Sequence, residues 1–435
     1  MSDTLLPLAM AALTLAGILA GYRVAMVLAG SAAIFILVSD LPIAFFNLLV
    51  SRIYANVLSN WLLVAIPMFI FMGLILETSG VAERSLRAAQ RALGGTAAGM
   101  GVSVLVIGIL LAASSGIVGA SVVLLALLAL PRLTESGYDR PTSAGLIAAS
   151  GTLAILIPPS VMLIVLGDQL QTPVPDMFAG AIGPGLLLVV VYGALVIWRA
   201  RNLPAAVHAD RPSPLRLLLD LGPLLALVVS VLGSIIAGLA TPTEASGLGA
   251  FGALLITLFY GRFSTAMLMK AARQTVVTTS LVLFVMIGAT CFSAVFKAVG
   301  GDELIKAGIT AFGTEPFVVL AVVMGAIFLL GFVLDWLEIT LILVPIFAPI
   351  VAGLDFGNGL SGDALLVWFG ILVAVNLQTS FLTPPFGFSL FYLRGAVGDA
   401  LSTPEIYRGV LPFIALQLLV LALLIVFPGL ITGFI

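Results

Sequence analysis

The amino-acid sequence predicts an all-α polytopic membrane protein composed of two inverted structural repeats. Of its 435 residues, 61% are hydrophobic and only 9% are charged, which is too apolar for a soluble globular domain. Its charge-poor stretches are long enough to cross a bilayer as helices, because one crossing takes about 20 helical residues. Several short patterns also recur in the same order in the two halves of the chain, which favours a duplicated architecture.

The apolar segments are predicted to form a series of helices in each half of the chain. Their apolar residues run continuously instead of alternating with polar ones, which argues against a membrane-spanning strand barrel. The first segment is interpreted as a membrane helix and not as a cleaved signal, because no charged n-region or cleavage site precedes the next apolar segment. The predicted helices cover about residues 4–20, 24–38, 58–76, 97–131, 142–167, 177–198, 217–239, 243–260, 275–296, 317–352, 364–393 and 410–432.

The repeated patterns relate the two halves with an offset of about 220 residues. Each match is short, but four matches in one order are difficult to attribute to chance. We therefore predict a first repeat over residues 1–205, a linker over 206–216 and a second repeat over 217–435. The matched positions are Gly80 with Gly300, Glu83 with Glu303, Leu93 with Phe312, and residues 156–159 with 382–385.

The segment that joins the halves is basic and polar. Residues 199–216 carry four arginines, which favours a cytoplasmic location. Its histidine, His208, is interpreted as a loop residue because nothing nearby completes a metal site. Short charged segments at 81–93 and 302–312 follow the matched glycines, and their alternating pattern favours helices in the plane of the membrane interface. Ordinary loop helices are the alternative for both segments.

Two apolar stretches are too long for a single crossing. Residues 92–131 contain no charged side chain over 40 positions, about twice the length that one crossing needs. Small and hydroxyl residues in the middle lower the helix propensity there. A backbone break in lipid leaves amides unsatisfied unless it lines a site or is buried in protein. We therefore predict re-entrant hairpins over about 103–131, with a tip near Ser114 to Gly116, and over about 325–352.

Proline pairs interrupt two further apolar segments at matched positions. Proline removes a backbone donor and disrupts the helical ladder, so discontinuous helices are expected over about 142–167 and 364–393. Paired broken helices in two halves are typical of a transporter site near the bilayer midplane. There the N-termini of half-helices present amide donors to an anion, and unwound carbonyls can coordinate a sodium ion.

These motifs resemble the large membrane subunit of tripartite ATP-independent periplasmic (TRAP) transporters, in order, from about residue 60 to 430. The resemblance implies an elevator-type carrier of the ion transporter superfamily in the bacterial inner membrane. It also implies two partners, a small four-helix membrane subunit and a periplasmic substrate-binding protein. Members that fuse the small subunit are much longer, so this chain is expected to be the separate large subunit. The motifs are residues 65–69 with Gly73, 137–139, 149–160, 241–245, Asp335 and Trp336 with 343–347, and 376–385.

The resemblance and the predicted hairpins together imply two sodium sites, with sodium as coupling ion and no other cofactor. Hydroxyl, carbonyl and carboxylate oxygens suit a hard cation. The same oxygens commonly cap helix ends, which is the alternative for each residue. A carboxylate in an apolar run, such as Asp335, is costly unless it is paired or coordinated. The first site is expected at Ser114, Ser115, Gly116, Ser150, Gly151 and Thr152, and the second at Gly331, Asp335, Gln378, Thr379 and Thr383.

The expected substrate is a small organic acid. Lys297 and Arg394 lie close to long apolar runs and are the candidates for binding its carboxylate, although either side chain could instead extend to the interface. Residues 386–395 resemble members that travel with binding proteins for 2-oxo acids and related monocarboxylates. The remaining predicted substrate residues are Ser115, Pro159, Ser160 and Pro385.

Other functions are less consistent with the sequence. A stand-alone dicarboxylate or anion symporter or a sodium/proton antiporter of the same architecture is the first alternative. A membrane-embedded enzyme is disfavoured, because no H-E-x-x-H motif occurs and Ser114 and Ser115 have no apparent general base. A channel has no use for two matched hairpins. A net charge of -2 gives no basic field for nucleic acid, so none is expected as a partner.

Overall fold

The computed structural model describes residues 2–93, 95–115, 118–203, 213–357, 359–385 and 387–435, without the side chains of 2–4 and 112–115. Every regular element in these ranges is helical. The helices are α1 (Ser2–Leu19), α2 (Val24–Val38), α3 (Phe45–Ile53), α4 (Ala65–Thr78), α5 (Val81–Leu93), α6 (Ala97–Ser115), α7 (Val118–Glu135), α8 (Arg140–Thr152), α9 (Val161–Leu170), α10 (Val174–Ala200), α11 (Pro214–Ile236), α12 (Pro242–Phe259), α13 (Thr265–Ala298), α14 (Gly301–Thr310), α15 (Pro316–Leu330), α16 (Trp336–Ile342), α17 (Val344–Ala352), α18 (Gly362–Leu382), α19 (Phe388–Val397), α20 (Thr403–Val426) and α21 (Gly429–Thr432).

The helices confirm the predicted class of an all-α polytopic membrane protein. Within the described ranges, eight helices are long and apolar enough to cross a bilayer, and shorter apolar helices include α6, α9 and α15. The buried fraction of their residues distinguishes central helices from peripheral ones. In the most apolar window of α18, 94% of the residues are buried, against 28% in that of α11. Helix α18 therefore lies in the protein interior, and α11 presents most of its surface outward.

Three boundaries differ from the sequence-based expectation. Helix α3 was not predicted, because it mixes Phe and Leu with Asn47, Ser51 and Arg52 and so lacks a long apolar run. Helix α13 begins ten residues before the predicted 275, since Ser264 caps it and charged residues in its first turns do not stop a helix. Helix α11 begins at Pro214, inside the predicted linker, and the rest of that linker lies largely outside the described residues.

Both predicted broken helices are present. Helix α8 passes into a 3-10 turn at Leu153–Ile155, and α9 starts only at Val161. In the second half α18 ends at Leu382 and α19 starts at Phe388. The peptide bonds Pro158–Pro159 and Pro384–Pro385 are cis and lie inside these breaks. The helix before each break is completely buried over residues 142–152 and 367–382, so each break occurs inside protein and not in lipid.

Pairs of helices cover the two predicted hairpin ranges, and their re-entrant course in the membrane stays a prediction. Helix α6 ends at Ser115, α7 begins at Val118, and the two helices pack against each other. The second hairpin consists of α15, a turn over 331–335, and α16 with α17. Its second arm is interrupted at Leu343, because Pro345 cannot donate the backbone hydrogen bond that would continue α16.

The order of elements is the same in both halves. A long helix leads to a short charged helix (α5 or α14), then a hairpin, a buried helix and a break. The matched glycines before the short charged helices, Gly80 and Gly300, have φ of 73° and 91°, a conformation that glycine adopts without strain. These features agree with the residue correspondence. The inverted relation of the halves stays a prediction.

Helix α5 is anchored to the rest of the protein by an ion pair. The Arg84 side chain approaches Asp220 Oδ1 of α11 at 2.6 Å, and Asp220 is only 8% exposed. Ser85 Oγ donates to the carbonyl oxygen of Asp220 at 3.0 Å, and the Arg84 guanidinium lies 4.3 Å from the ring centroid of Tyr260. One face of α5 is therefore held by α11 and α12, while its charged residues on the other face remain outward.

Helices α8 and α20 pack with their backbones in contact. A Cβ atom at Gly145 would lie 1.9 Å from the Gly409 carbonyl oxygen, and one at Gly409 would lie 1.9 Å from the Pro141 carbonyl oxygen. No side chain other than hydrogen fits at either position. Because backbone atoms cannot move aside as a side chain can, this contact fixes α20 against the helix that precedes the first break.

Replacing Gly145 or Gly409 with alanine is expected to destabilise the protein strongly. Overpacking a close-packed interior typically costs about 1–3 kcal/mol, and contact with backbone lies at the upper end of that range. The measurement is the thermal midpoint of the detergent-solubilised chain, followed as its monodisperse size-exclusion peak. Gly247→Ala is the matched control, because Gly247 also lies within a helix but has no neighbour within 4 Å. Equal midpoints for Gly145→Ala and Gly247→Ala would contradict the close contact.

Candidate functional site

The two breaks meet at a polar contact inside the protein. Gln378 Nε2 of α18 donates to Thr152 Oγ1 at the end of α8, with a separation of 3.5 Å, and both side chains are fully buried. The two residues are 226 positions apart in the chain, so the contact joins the two halves. It brings together one residue from each predicted sodium site.

Two buried oxygen atoms on these two helices have no hydrogen-bond partner among the described residues. They are Ser150 Oγ, two residues before Thr152 in α8, and Gln378 Oε1. A buried polar atom without a partner costs roughly 1–3 kcal/mol, so such atoms call for an explanation. Neutral oxygen atoms match the ligand preference of a hard cation such as sodium. The donor types at these two buried positions therefore suit a sodium ion.

The remaining predicted hydroxyls on the broken helices bond to their own helix. Thr152 Oγ1 donates to the carbonyl of Ala149 at 2.9 Å, Thr379 Oγ1 to that of Val375 at 3.0 Å and Thr383 Oγ1 to that of Thr379 at 2.8 Å. These bonds use the hydroxyl hydrogen and leave lone pairs on each oxygen. Helix capping and ion binding are therefore compatible at these positions.

The first hairpin packs closely against the end of α8, just before the first break. A Cβ at Gly108 of α6 would lie 2.7 Å from Ser150 Cβ, and one at Gly151 would lie 2.4 Å from Val122 Cγ2 of α7. Both arms of this hairpin therefore touch the Ser150–Gly151 segment. Ser114 and Ser115 belong to the backbone of α6, but their side chains lie outside the described part of the chain, as does all of Gly116. Their predicted role as sodium ligands stays a prediction.

The second hairpin presses in the same way on the second broken helix. A Cβ at Gly331 would lie 2.4 Å from Ser380 Oγ and 2.6 Å from Ser380 Cβ. Ser380 Oγ in turn lies 3.5 Å from the carbonyl oxygen of Phe328 in the same hairpin. Gly331 is thus close to α18, as expected for a residue of the second sodium site.

Asp335 has a different set of neighbours from the other residues of that site. Its Oδ1 accepts from the backbone amide of Trp336 at 2.8 Å, so it caps α16. It lines a cavity of about 240 Å³ together with Gly119 of the first hairpin and Phe381 and Tyr392 of the second broken helix. Among the described residues it has no hydrogen bond to Gln378, Thr379 or Thr383. A sodium ion shared by all of them stays a prediction.

One buried acid was missed by the sequence reasoning. Glu338 lies one turn after Asp335, is only 7% exposed, and its Oε2 has no hydrogen-bond partner. The available signal was an acid three residues beyond Asp335 within an apolar run.

The predicted substrate residues do not converge on one place. Ser160 and Pro159 are buried, and Ser160 Oγ donates to the carbonyl of Ile155 at 2.6 Å. Pro385 is exposed, and its carbonyl accepts from the Tyr407 hydroxyl. The Arg394 guanidinium donates to the carbonyls of Gly398 and Leu401 beyond the end of α19, and neither of the cavities described here includes it.

Lys297 lines a larger and more polar cavity of about 430 Å³. Its Nζ donates to the Pro345 carbonyl in the second hairpin at 3.4 Å. Arg52 of α3 and Asp168 of α9 line the same cavity. Its volume is within the range of small-molecule sites, about 300–1,000 Å³. Of the two predicted carboxylate-binding side chains, Lys297 lines this cavity and Arg394 does not.

Known proteins resemble this chain over nearly its full length. Residues 8–430 match the family model of the tripartite ATP-independent periplasmic transporter, DctM component. The chain is 30% identical over 376 residues to the C4-dicarboxylate TRAP transporter large permease protein DctM of Pseudomonas aeruginosa, covering 85% of each protein. It is 30% identical over 394 residues to the isethionate TRAP transporter permease protein DctMQ of Oleidesulfovibrio alaskensis, covering 87% of this chain but only 59% of that longer protein.

A solved structure has the same fold. The YdaH transporter of Alcanivorax borkumensis superposes with a TM-score of 0.63 over 88% of each chain, at 16% sequence identity. At that identity the likeness concerns the fold alone. It agrees with the helical architecture described above.

Gly331→Ala is expected to destabilise the second hairpin, because its Cβ would collide with Ser380. Ser380→Gly removes both colliding atoms at a cost of about 1 kcal/mol for glycine in a helix. The double variant should therefore be more stable than the sum of the single effects predicts, by at least about 1 kcal/mol. Thermal midpoints of the four proteins in detergent measure this coupling. Strictly additive effects would show that Gly331 and Ser380 are not in contact.

Proposed function

Because the chain belongs to the DctM family of tripartite ATP-independent periplasmic transporters, we propose that it carries a small organic acid across the bacterial inner membrane in symport with sodium. Large permease subunits of this family are multi-pass inner-membrane proteins and not enzymes. The names of two relatives refer to a C4-dicarboxylate and to isethionate, which are both organic anions. These names support an anionic substrate for this chain.

The proposed sodium coupling rests on one observation. The two broken helices meet at Gln378 and Thr152, and the buried Ser150 Oγ and Gln378 Oε1 have no hydrogen-bond partners. A sodium ion would supply the missing interaction for such oxygens. The ion would also hold the two halves together, because its ligands come from both of them.

The proposed transport cycle follows from the packing of hairpins on breaks. Sodium bound at the breaks would stabilise the positions of both hairpins, which touch the breaks through Ser150, Gly151 and Ser380. The substrate would then be enclosed between hairpins and the remaining helices. The loaded unit would move across the membrane in an elevator motion, with one side open at a time.

Two partners are part of the proposal. The first is a small four-helix membrane subunit, because the family to which the chain belongs forms tripartite transporters. A periplasmic binding protein would deliver the substrate, as the family description implies.

Uptake is expected to require sodium and both partners. The measurement is uptake of labelled pyruvate, a 2-oxo acid, and labelled succinate into proteoliposomes that contain the chain and its small subunit, with the cognate binding protein outside. Uptake of at least one acid should appear only with an inward sodium gradient and with the binding protein present. Full uptake without the binding protein would instead support a stand-alone symporter, and sodium-independent uptake would overturn the coupling.

Gln378→Leu is expected to weaken sodium binding. A hydrogen bond or ion contact to a charged group is worth about 1.5–3 kcal/mol, so losing the amide oxygen should raise the half-saturating sodium concentration at least about tenfold. Gln90→Leu is the matched control, since Gln90 in α5 also has a buried amide nitrogen without a partner but lies away from the breaks. The half-saturating concentration should be unchanged in that control. The same value for both variants would remove Gln378 from the proposed site.

A further inference from the structure

The larger cavity lies between segments from both halves of the chain. Arg52 comes from α3, Asp168 from the end of α9, Ser293 and Lys297 from α13, and Pro345 from the second hairpin. The sequence did not predict helix α3, which carries Arg52, and so it gave no indication of this cavity. Helices α3 and α13, helix α9 after the first break and helix α17 of the second hairpin thus form its walls.

Positive charge dominates this cavity. Arg52 makes no ion pair within the described part of the chain, and Lys297 contacts only a neutral carbonyl. The one acid in the lining, Asp168, is already bound by two amides. Its Oδ1 accepts from Asn60 Nδ2 at 2.6 Å and its Oδ2 from Gln169 Nε2 at 2.9 Å. The lining keeps one net positive charge, and its two cations lack an anionic partner.

Lys297 contacts a backbone carbonyl that lacks its usual helical donor. Proline has no amide hydrogen, so Pro349 cannot donate to the carbonyl of Pro345 one turn earlier in α17. Lys297 Nζ contacts this carbonyl at the long distance of 3.4 Å. A carboxylate adds the attraction of opposite charges to its hydrogen bond with an ammonium group, which a neutral carbonyl does not. A carboxylate in the cavity would therefore compete with the Pro345 carbonyl for Lys297.

The smaller cavity is unsuited to an anion. Asp335 is its one charged lining residue, and most of the others are apolar, such as Val118, Leu281 and Phe388. A carboxylate placed there would meet a like charge and lose its hydration without compensation. Of these two cavities, the larger one is therefore the better place for an anionic substrate.

We propose that the larger cavity binds the carboxylate of the transported acid and that Arg52 and Lys297 hold it together. The assignment rests on the proposed function for the identity of the anion, but the attraction of anions to the cavity does not. Arg52 offers paired donors to the two carboxylate oxygens, and Lys297, which lines the same cavity, offers a single charge. The Ser293 hydroxyl on α13 could bind another polar group of the acid, whereas Thr290 Oγ1 already donates to the Met286 carbonyl and can only accept.

Anion attraction can be measured without knowing the substrate. Ser293→Cys places a thiol one turn from Lys297 on α13, in a background in which Cys291→Ala removes the native cysteine. The complex of this chain with its small subunit is treated in detergent with an anionic and a cationic methanethiosulfonate, the sulfonatoethyl and trimethylammonium ethyl reagents. The ratio of their reaction rates reports the local potential. Thr278→Cys, in the smaller cavity and on the same helix, is the matched control.

Adding Arg52→Gln and Lys297→Gln to Ser293→Cys is expected to lower the ratio of anionic to cationic rate about tenfold. The ratio at Thr278→Cys should not change. Because Arg52 is exposed, Arg52→Gln alone should fold normally, and it should already lower the ratio by about threefold. An unchanged ratio at Ser293→Cys, or a thiol there that reacts with neither reagent, would overturn the proposal.

The role in transport is tested separately. In the proteoliposomes described above, Arg52→Gln should raise the KM for the labelled acid at least about tenfold and leave the half-saturating sodium concentration unchanged. An unchanged KM would remove Arg52 from substrate binding even where the rate ratio had shown anion attraction. If uptake by the unsubstituted protein did not depend on sodium, the proposed symport would be wrong. The ratio of the thiol reaction rates would still show whether the cavity attracts anions.

Discussion

The structure depends on one constraint, which is that a backbone break inside a membrane must be surrounded by protein. Each break leaves amides and carbonyls without helical partners, and lipid offers none. The chain meets this constraint by burying the helix before each break completely, over 142–152 and 367–382. Two hairpins then cover the breaks. The two breaks consequently lie in the protein interior.

Small residues make this covering possible. Glycine at 108, 151 and 331 allows hairpins and broken helices to approach until a Cβ atom would collide with the neighbour. Glycine at 145 and 409 does the same for the backbone contact of α8 with α20. A close-packed interior of this kind has few alternative arrangements. It can therefore hold Ser150 Oγ and Gln378 Oε1 without partners, although each buried polar atom in that state costs free energy.

Much of the fold could be predicted from the sequence, because its main signals are local. Long charge-free runs, proline pairs and small-residue tips locate spans, breaks and hairpins, and helix α18 with the Pro384–Pro385 break is an example. The candidate site was less accessible, since side-chain convergence is not local. Arg52 lies in a mixed helix without a periodic apolar face long enough to predict. Arg394 looked available in the sequence, but its guanidinium is bound to carbonyls at Gly398 and Leu401.

A chain of contacts joins the proposed anion cavity to the proposed sodium ligands. Lys297 contacts the second hairpin at Pro345, the same hairpin contacts Ser380 through Gly331, and Gln378 lies two residues before Ser380 in α18. If an anion draws Lys297 away from Pro345, the hairpin loses a contact that favours one of its positions. The proposed sodium ion at Gln378 would bind the same helix that this hairpin touches at Ser380. Coupling between two ligands is reciprocal, so any effect of the anion on sodium binding through this hairpin equals the effect of sodium on anion binding.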